Sequence, residues 1–240
     1  MRRPATAPLA ALLLPLAGAA ALAGSAAPAR SAAGGAGPLE AAGWRHAEWR
    51  NIPPARFRAL PGGGVSVRGE AQASFVWRPL RGAPGCLSWR WRVDEGPPAT
   101  DLARRGGDDK ALSVAVGFSG WPPGTGAWQR ARHGIAQAAA GGDRPLPRSV
   151  LMYVWGGTGR EPAFFTAPYL DGFIRMRVLR PADAPRGRWL PERVDLAADW
   201  RAAFGGEPPP VQEIAVGTDV DDTGSRVDAA VEAPVQAPCG

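Results

Sequence analysis

Two acidic strings carry the residue types from which chemistry could be built. Asp108 and Asp109 follow Gly107 just before an apolar run, and Asp219, Asp221, Asp222 and Thr223 crowd into a short segment that ends at Gly224. Asp219, Asp221 and Thr223 alternate, as in the opening of a calcium loop. Hard oxygens at that spacing can turn toward one cation when a glycine lets the chain bend sharply. The twelfth position is Ala230, where a helical calcium hand needs a bidentate glutamate. The expectation is therefore a structural calcium site on Asp219, Asp221, Asp222 and Thr223, not an EF-hand. The plainer alternative is a tight Asp/Gly turn whose carboxylates accept backbone N–H bonds. Asp108, Asp109 and Asp222 are also candidate catalytic carboxylates. Glycoside hydrolysis needs two such groups at a set separation, which spacing along the chain does not fix.

Aromatic and basic residues form a second set. Trp121 and Trp128 lie in a Gly/Pro-rich loop, where exposed rings could stack on a sugar or a peptide. Arg90, Arg92, Arg175 and Arg177 alternate with apolar residues. If their strands share a sheet, they make a basic patch for carboxylates, sulfates or phosphates; otherwise they cover an outer face and pair with acids.

Several chemistries are excluded. His46 and His133 are the only histidines, with no HExxH, H-x-H or paired cysteines near them, so a zinc cluster has no support. His133 reads as part of a solvated basic turn. No G-x-S-x-G elbow, CxxC, phosphate loop or nucleic-acid motif occurs. The net charge of +6 shrinks once Arg2, Arg3 and Arg30 are set aside, leaving 25 basic against 22 acidic residues from Ser31 onward. That balance demands no polyanionic partner, and no nucleic-acid partner is expected. Lys110 is the only lysine. Cys86 and Cys239 could pair in an oxidising compartment, tying the C-terminal tail to the strand beginning at Cys86.

The elements that must hold these residues read as strands. Leu87, Trp89, Trp91 and Val93 alternate with Ser88, Arg90 and Arg92, a two-residue period that only an extended chain gives. Leu112, Val114, Val116 and Phe118 repeat the pattern, as do Ile174, Met176 and Val178, then Ile214, Val216 and Thr218, then Val227, Ala229 and Val231. Val150 to Trp155 is apolar on both faces, as a central strand would be. Val65 to Val67 and Gln72 to Trp77 read as earlier strands. Helices are expected over Trp128 to Ala140 and from Asp195 to Phe204, the second capped by Asp195 and stopped by Gly205 and Gly206. Short strands bounded by Gly, Pro and Asp point to an all-β protein. The expected architecture is an antiparallel β-sandwich, jelly-roll-like, with one or two short peripheral helices. Ten tryptophans supply its core.

The N-terminus reads as an export signal. Met1 to Arg3 is basic, Pro8 to Ala23 is apolar but short, and Ala21-Leu22-Ala23 is a small-x-small site. Residues 1–23 are assigned to a cleaved signal peptide, 24–40 to a flexible lead-in and 41–240 to one β-sandwich domain. No transmembrane segment is expected after processing, and the location is periplasmic or secreted.

Five strings in this order resemble one family: Leu87 to Val93 (LSWRWRV), Gly107 to Leu112 (GDDKAL), Leu151 to Trp155 (LMYVW), Asp199 to Gly205 (DWRAAFG) and Ile214 to Gly224 (IAVGTDVDDTG). Together they are similar to the bacterial exported proteins grouped as domain of unknown function 3047, over roughly Trp44 to Glu232. Asp222 stands where an asparagine is usual, and Trp200 where a tyrosine is common. The resemblance implies a one-domain, β-rich exported protein and transfers no catalytic residue. The function expected is a non-catalytic envelope or extracellular module that binds carbohydrate. The alternatives are a carboxylate-dependent glycan hydrolase or lyase, and a structural or assembly factor of the envelope.

Overall fold

A computed structural model describes residues 38–140, 144–169 and 172–239. The signal-peptide segment 1–23 and the lead-in up to residue 37 lie outside the described residues. The strands are β1 (Arg45–Glu48), β2 (Arg56–Ala59), β3 (Val65–Glu70), β4 (Ala73–Gly82), β5 (Cys86–Glu95), β6 (Lys110–Phe118) and β7 (Ser149–Gly156). They continue with β8 (Phe165–Thr166), β9 (Ile174–Arg180), β10 (Leu190–Asp195), β11 (Val211–Asp219), β12 (Arg226–Val231) and β13 (Val235–Ala237). Among the described residues three α-helices accompany them, the single turn α1 (Pro38–Ala41), then α2 (Ala127–Ala140) and α3 (Leu196–Phe204), with a 3-10 turn at Pro61–Gly63.

The strands form two sheets. One runs β1-β4-β11-β6-β7-β9-β8 and the other β10-β5-β12-β3-β2, with β13 adding to β5 below β12. The chain changes sheet after β1, β3, β4, β5, β9, β10 and β11, the wrapping expected of a jelly roll. One pair departs from the antiparallel expectation. β9 returns parallel to β7, because the excursion through β8 reverses the chain before it rejoins the sheet.

Sequence periodicity explains why these segments pair as they do. Leu87, Trp89, Trp91 and Val93 of β5 are buried against Val114, Val116, Tyr153 and Trp155 of the opposite sheet. Removing such side chains from water contributes about 1.5–3 kcal/mol each. β6 is buried on both faces, so its alternate residues are the small Ala111, Ser113, Ala115 and Gly117. Gly117 has no room for more: a Cβ there would lie 2.7 Å from a Pro147 carbon and 2.9 Å from Glu213. Helix α3 begins where Asp195 accepts N–H bonds from Ala197 and Ala198, and it buries Leu196 and Trp200 against the core.

One alternation points the other way from the expected sense. Ile174, Met176 and Val178 do not face the inter-sheet core. They join Val154, Leu102, Phe165 and Ala167 in a separate cluster, because the chain around Leu102 and β8 covers that side of the sheet. The interleaved Arg175 and Arg177 turn instead toward α3, where they reach the Ala203 carbonyl and Asp199.

Candidate functional site

The two acidic strings meet. β6 and β11 are neighbours with Lys110 opposite Asp219, so the Asp108–Lys110 segment lies beside the turn from Asp219 to Gly224. Lys110 Nζ donates to Asp219 Oδ2 at 2.7 Å and to the Asp108 carbonyl at 2.9 Å. Asp109, 1% exposed, reaches across to the turn: its Oδ1 accepts from Asp222 N at 3.3 Å, and its Oδ2 from Thr223 N at 2.8 Å and from the Thr223 hydroxyl. Gly224 closes the turn at φ 63°, a conformation in which a side chain would be strained.

Oxygens of Asp109, Asp219 and Asp221 lie within 4.8 Å of one another. Like charges this close resist ionising together, and burial adds to the resistance. Burial pushes the Asp221 carboxyl up to about 7, helped by its hydrogen bond to Asp219 and by the charges of Asp219, Asp222 and Asp109. Burial likewise lifts Asp108 to about 6, with Lys110 pulling the other way. Asp222 is raised by burial and by Asp109. Burial also opposes the Lys110 ammonium, but Asp219 and Asp108 together outweigh it and hold lysine above its ordinary value. Such a cluster can take up a proton or a hard cation. The three carboxylates Asp109, Asp219 and Asp221 fit the oxygen preference of calcium.

This set differs from the one expected from spacing. Asp109 joins Asp219 and Asp221, while Asp222 and Thr223 are exposed and offer their backbone N–H groups to Asp109. Lys110 was not singled out, although a solitary lysine in a chain whose other cations are arginine was the available signal.

The remaining candidates are dispersed. Arg90 and Arg92 lie on the outer face of the β5 sheet and pair with Glu232 and Asp94. Arg175 and Arg177 are in the other sheet, so the four arginines form no common patch. Arg177 instead shares Asp199 with Tyr153: Nη1 is 2.7 Å from Oδ1, and the tyrosine hydroxyl donates to Oδ2 at 2.9 Å. Burial and Asp199 raise the Tyr153 hydroxyl well above its usual range.

Trp121 is half-buried against His133 and Phe173, with ring centroids 4.8 and 5.6 Å away. His133 is correspondingly no solvated turn residue; it sits on α2, its Nε2 3.1 Å from the Pro147 carbonyl. Trp128, on the first turn of α2, is 72% exposed. Both tryptophans are far from the acids. Gly120 is held by Ser149 at the start of β7, whereas Lys110 is opposite Gly156 at its end. Eight residues of strand separate those ends by about 25 Å. Two surface depressions, of about 460 and 550 Å³, lie on the β5 sheet and contain none of the clustered aspartates. Cys86 and Cys239 are bonded through their sulfurs, with Cα atoms 5.0 Å apart.

The ordered strings seen in the sequence thus fall on β5, β6, β7, α3 and β11, the elements that make the core and the acidic cluster. A family model matches residues 42–234. The chain belongs to the family described as protein of unknown function (DUF3047). No curated protein matches it. Among solved structures it is similar to the xyloglucanase domain of NopAA, a type three effector from Sinorhizobium fredii, in complex with cellobiose. There the TM-score is 0.42 and the identity 12%, over 81% of this chain and 93% of that one. It is also similar to a cellulase derived from Cel12A of Rhodothermus marinus, with a TM-score of 0.39 and 10% identity over 80% of this chain and 91% of that one. No helix among the described residues is long and apolar enough to cross a membrane.

Proposed function

We propose that the protein is an exported, non-catalytic carbohydrate-binding module of the envelope or exterior, braced by calcium at Asp109, Asp219 and Asp221. The observation that carries this reading is the separation of its parts. The acids are tied to one another, to Lys110 and to a turn at one end of the sheet, while the exposed ring of Trp128 stands at the other. Asp109 is buried, and the turn donors on both of its oxygens hold it in place beside Asp219 and Asp221. Trp128, the most exposed aromatic ring among the described residues, can stack on a sugar.

The test is a titration of the purified protein with a panel of oligosaccharides, followed by tryptophan fluorescence, beside the Trp128→Ala variant. A saturable change lost in the variant is expected. A flat response both across the panel and to sugars displayed on lipid vesicles would remove the reading.

One observation favours a hydrolase or lyase instead: Asp108 at about 6 and Asp221 at about 7 are placed as a general acid needs to be near neutrality. Chromatography of the same incubations distinguishes the two. Intact glycans support the module, and cleaved glycans, abolished by Asp221→Asn, support the enzyme.

A further inference from the structure

Helix α2 has its polarity reversed. Its half-buried side carries the polar groups: His133 meets the Pro147 carbonyl, and Gln137 donates to the Arg144 carbonyl at 2.9 Å and accepts from Leu146 N at 2.7 Å. Of its exposed residues, all but Arg130 are apolar. Ala127, Trp128, Ala131, Gly134, Ile135 and Ala138 are all exposed, with Ile135 at 65%. The spacing of Trp128, Ala131, Ile135 and Ala138 keeps them on one stripe of a helix with 3.6 residues per turn. A surface helix packed on a core normally turns such a stripe inward, and a contiguous apolar face turned outward is the kind of patch that marks an interaction surface.

Charge narrows the choice of partner. No Asp or Glu occurs between Ala127 and Ala140. The exposed Arg130, on the helix beside the stripe, and Arg148, which also donates to the Ser119 carbonyl at 3.1 Å, both place guanidinium groups near the Trp121 ring, at 5.8 and 5.4 Å. The face thus combines an apolar strip, an aromatic ring at its end and cations at its flank, the composition of helices that lie in the boundary between headgroups and acyl chains. A soluble polysaccharide would leave Ile135 bare and would find no hydrogen-bonding side chain among the alanines.

We infer that the carbohydrate taken by this protein is the headgroup of an anionic, phosphate-bearing glycolipid, and that α2 lies on the lipid surface displaying it. This rests on the carbohydrate-binding reading and assigns its ligand class. Trp128 sits between sugar and hydrocarbon, Ile135 and the alanines meet the acyl boundary, and Arg130 and Arg148 meet phosphate.

The test is co-sedimentation of the full chain with three vesicle preparations: phosphatidylcholine alone, phosphatidylcholine with phosphatidylglycerol, and phosphatidylcholine with lipopolysaccharide. Titration with soluble neutral oligosaccharides runs alongside. The proteins are wild type, the Trp128→Ser/Ile135→Ser double variant, and Arg130→Glu as a charge reversal. Both apolar side chains are exposed, so an unchanged melting temperature verifies that the double variant folds. Wild type should bind the lipopolysaccharide vesicles at least tenfold more tightly than phosphatidylcholine alone. The double variant and Arg130→Glu should each lose most of that binding, and added salt should weaken it. Equal binding to phosphatidylglycerol vesicles would overturn the glycolipid assignment, since charge without sugar would suffice. Equally tight binding of soluble oligosaccharides would overturn it while leaving the carbohydrate reading in place. No binding to any glycan or vesicle would remove both. A wild-type dimer that the double variant abolishes, without vesicle binding, would assign the face to a second copy of the chain and overturn the inference.

Discussion

Lys110 and Asp219, on adjacent strands and far apart in the chain, form an ion pair at 2.7 Å in which lysine is 8% exposed and aspartate 22%. The pair fixes the end of β6 to the end of β11 and sets the position from which Asp109 reaches the turn. Removing one partner from a buried pair leaves the other charge without compensation, which costs about 3–5 kcal/mol. Asp219→Ala should therefore lower the melting temperature sharply, as followed by circular dichroism. Adding Lys110→Met to it should restore part of the loss. An Asp219→Ala protein that melts like wild type would show that the pair is not formed.

The same cluster gives stability a pH dependence of known sign. Asp221 near 7 and Asp108 near 6 bind protons in the folded state that an unfolded aspartate, at 3.8, has already released. Between those values the native state holds more protons, so stability falls as pH rises through 6 to 7. His46, kept below its ordinary value by burial, works in the opposite direction across part of this window. The comparison is accordingly between wild type and Asp221→Asn in metal-free buffer from pH 5 to 8. The melting temperature of wild type should decline more steeply, and parallel curves would exclude the raised carboxyl.

A cation at Asp109, Asp219 and Asp221 would reverse that trend, because it competes with protons for the same oxygens. Calcium at about a hundred times its dissociation constant stabilises by about 2.7 kcal/mol, or roughly 5–10 °C for a chain of this size. The increment should be larger at pH 8 than at pH 5.5 and should vanish in Asp219→Ala. Calorimetry with and without a chelator measures it, and equal melting of wild type under both conditions would rule the site out.

Which of these features could be read before the structure follows from the range of the interactions involved. The strand containing Trp89 and Trp91 declares itself because its period is local. So does α3, since Asp195 caps it two and three residues away. The facing of β9 does not declare itself: Ile174, Met176 and Val178 alternate perfectly, yet both sides of their strand are covered, and only the path of the chain around Leu102 and Phe165 decides which side is the core. The acidic site was half legible. The Asp219 to Gly224 turn is a local signal, whereas its closure by Asp109 spans 114 positions. A similar limit applies to Arg90 and Arg177, whose periodicity is alike although their strands lie in different sheets.

Arg144 and Glu213 make a second buried pair, on the face of the β11 sheet turned away from the core. The guanidinium donates to both carboxylate oxygens, at 2.6 and 3.2 Å, and lies over the Trp77 and Phe75 rings at 4.7 and 5.0 Å. Arg144→Ala would leave Glu213, 4% exposed, without its cation, a loss of about 3–5 kcal/mol. Lysine cannot reproduce a two-pronged, ring-stacked contact, so Arg144→Lys should recover only a minor part, and urea denaturation resolves the three proteins.

The Cys86–Cys239 bond closes a loop with a sequence separation of 153 and holds β13 beside β5 through Val235, Gln236 and Ala237. Constraining so long a loop in the unfolded chain contributes about 2–5 kcal/mol. β13 has only three residues, and Val235 is 62% exposed, so little apolar burial retains it once the bond is cut. Reduction, or Cys239→Ser, should lower the melting temperature. Amide exchange should also speed up first at residues 235–237, while β5 and β12 stay protected. Uniform loss of protection across the β5 sheet would mean instead that β13 is integral to the core and that the bond merely records its position.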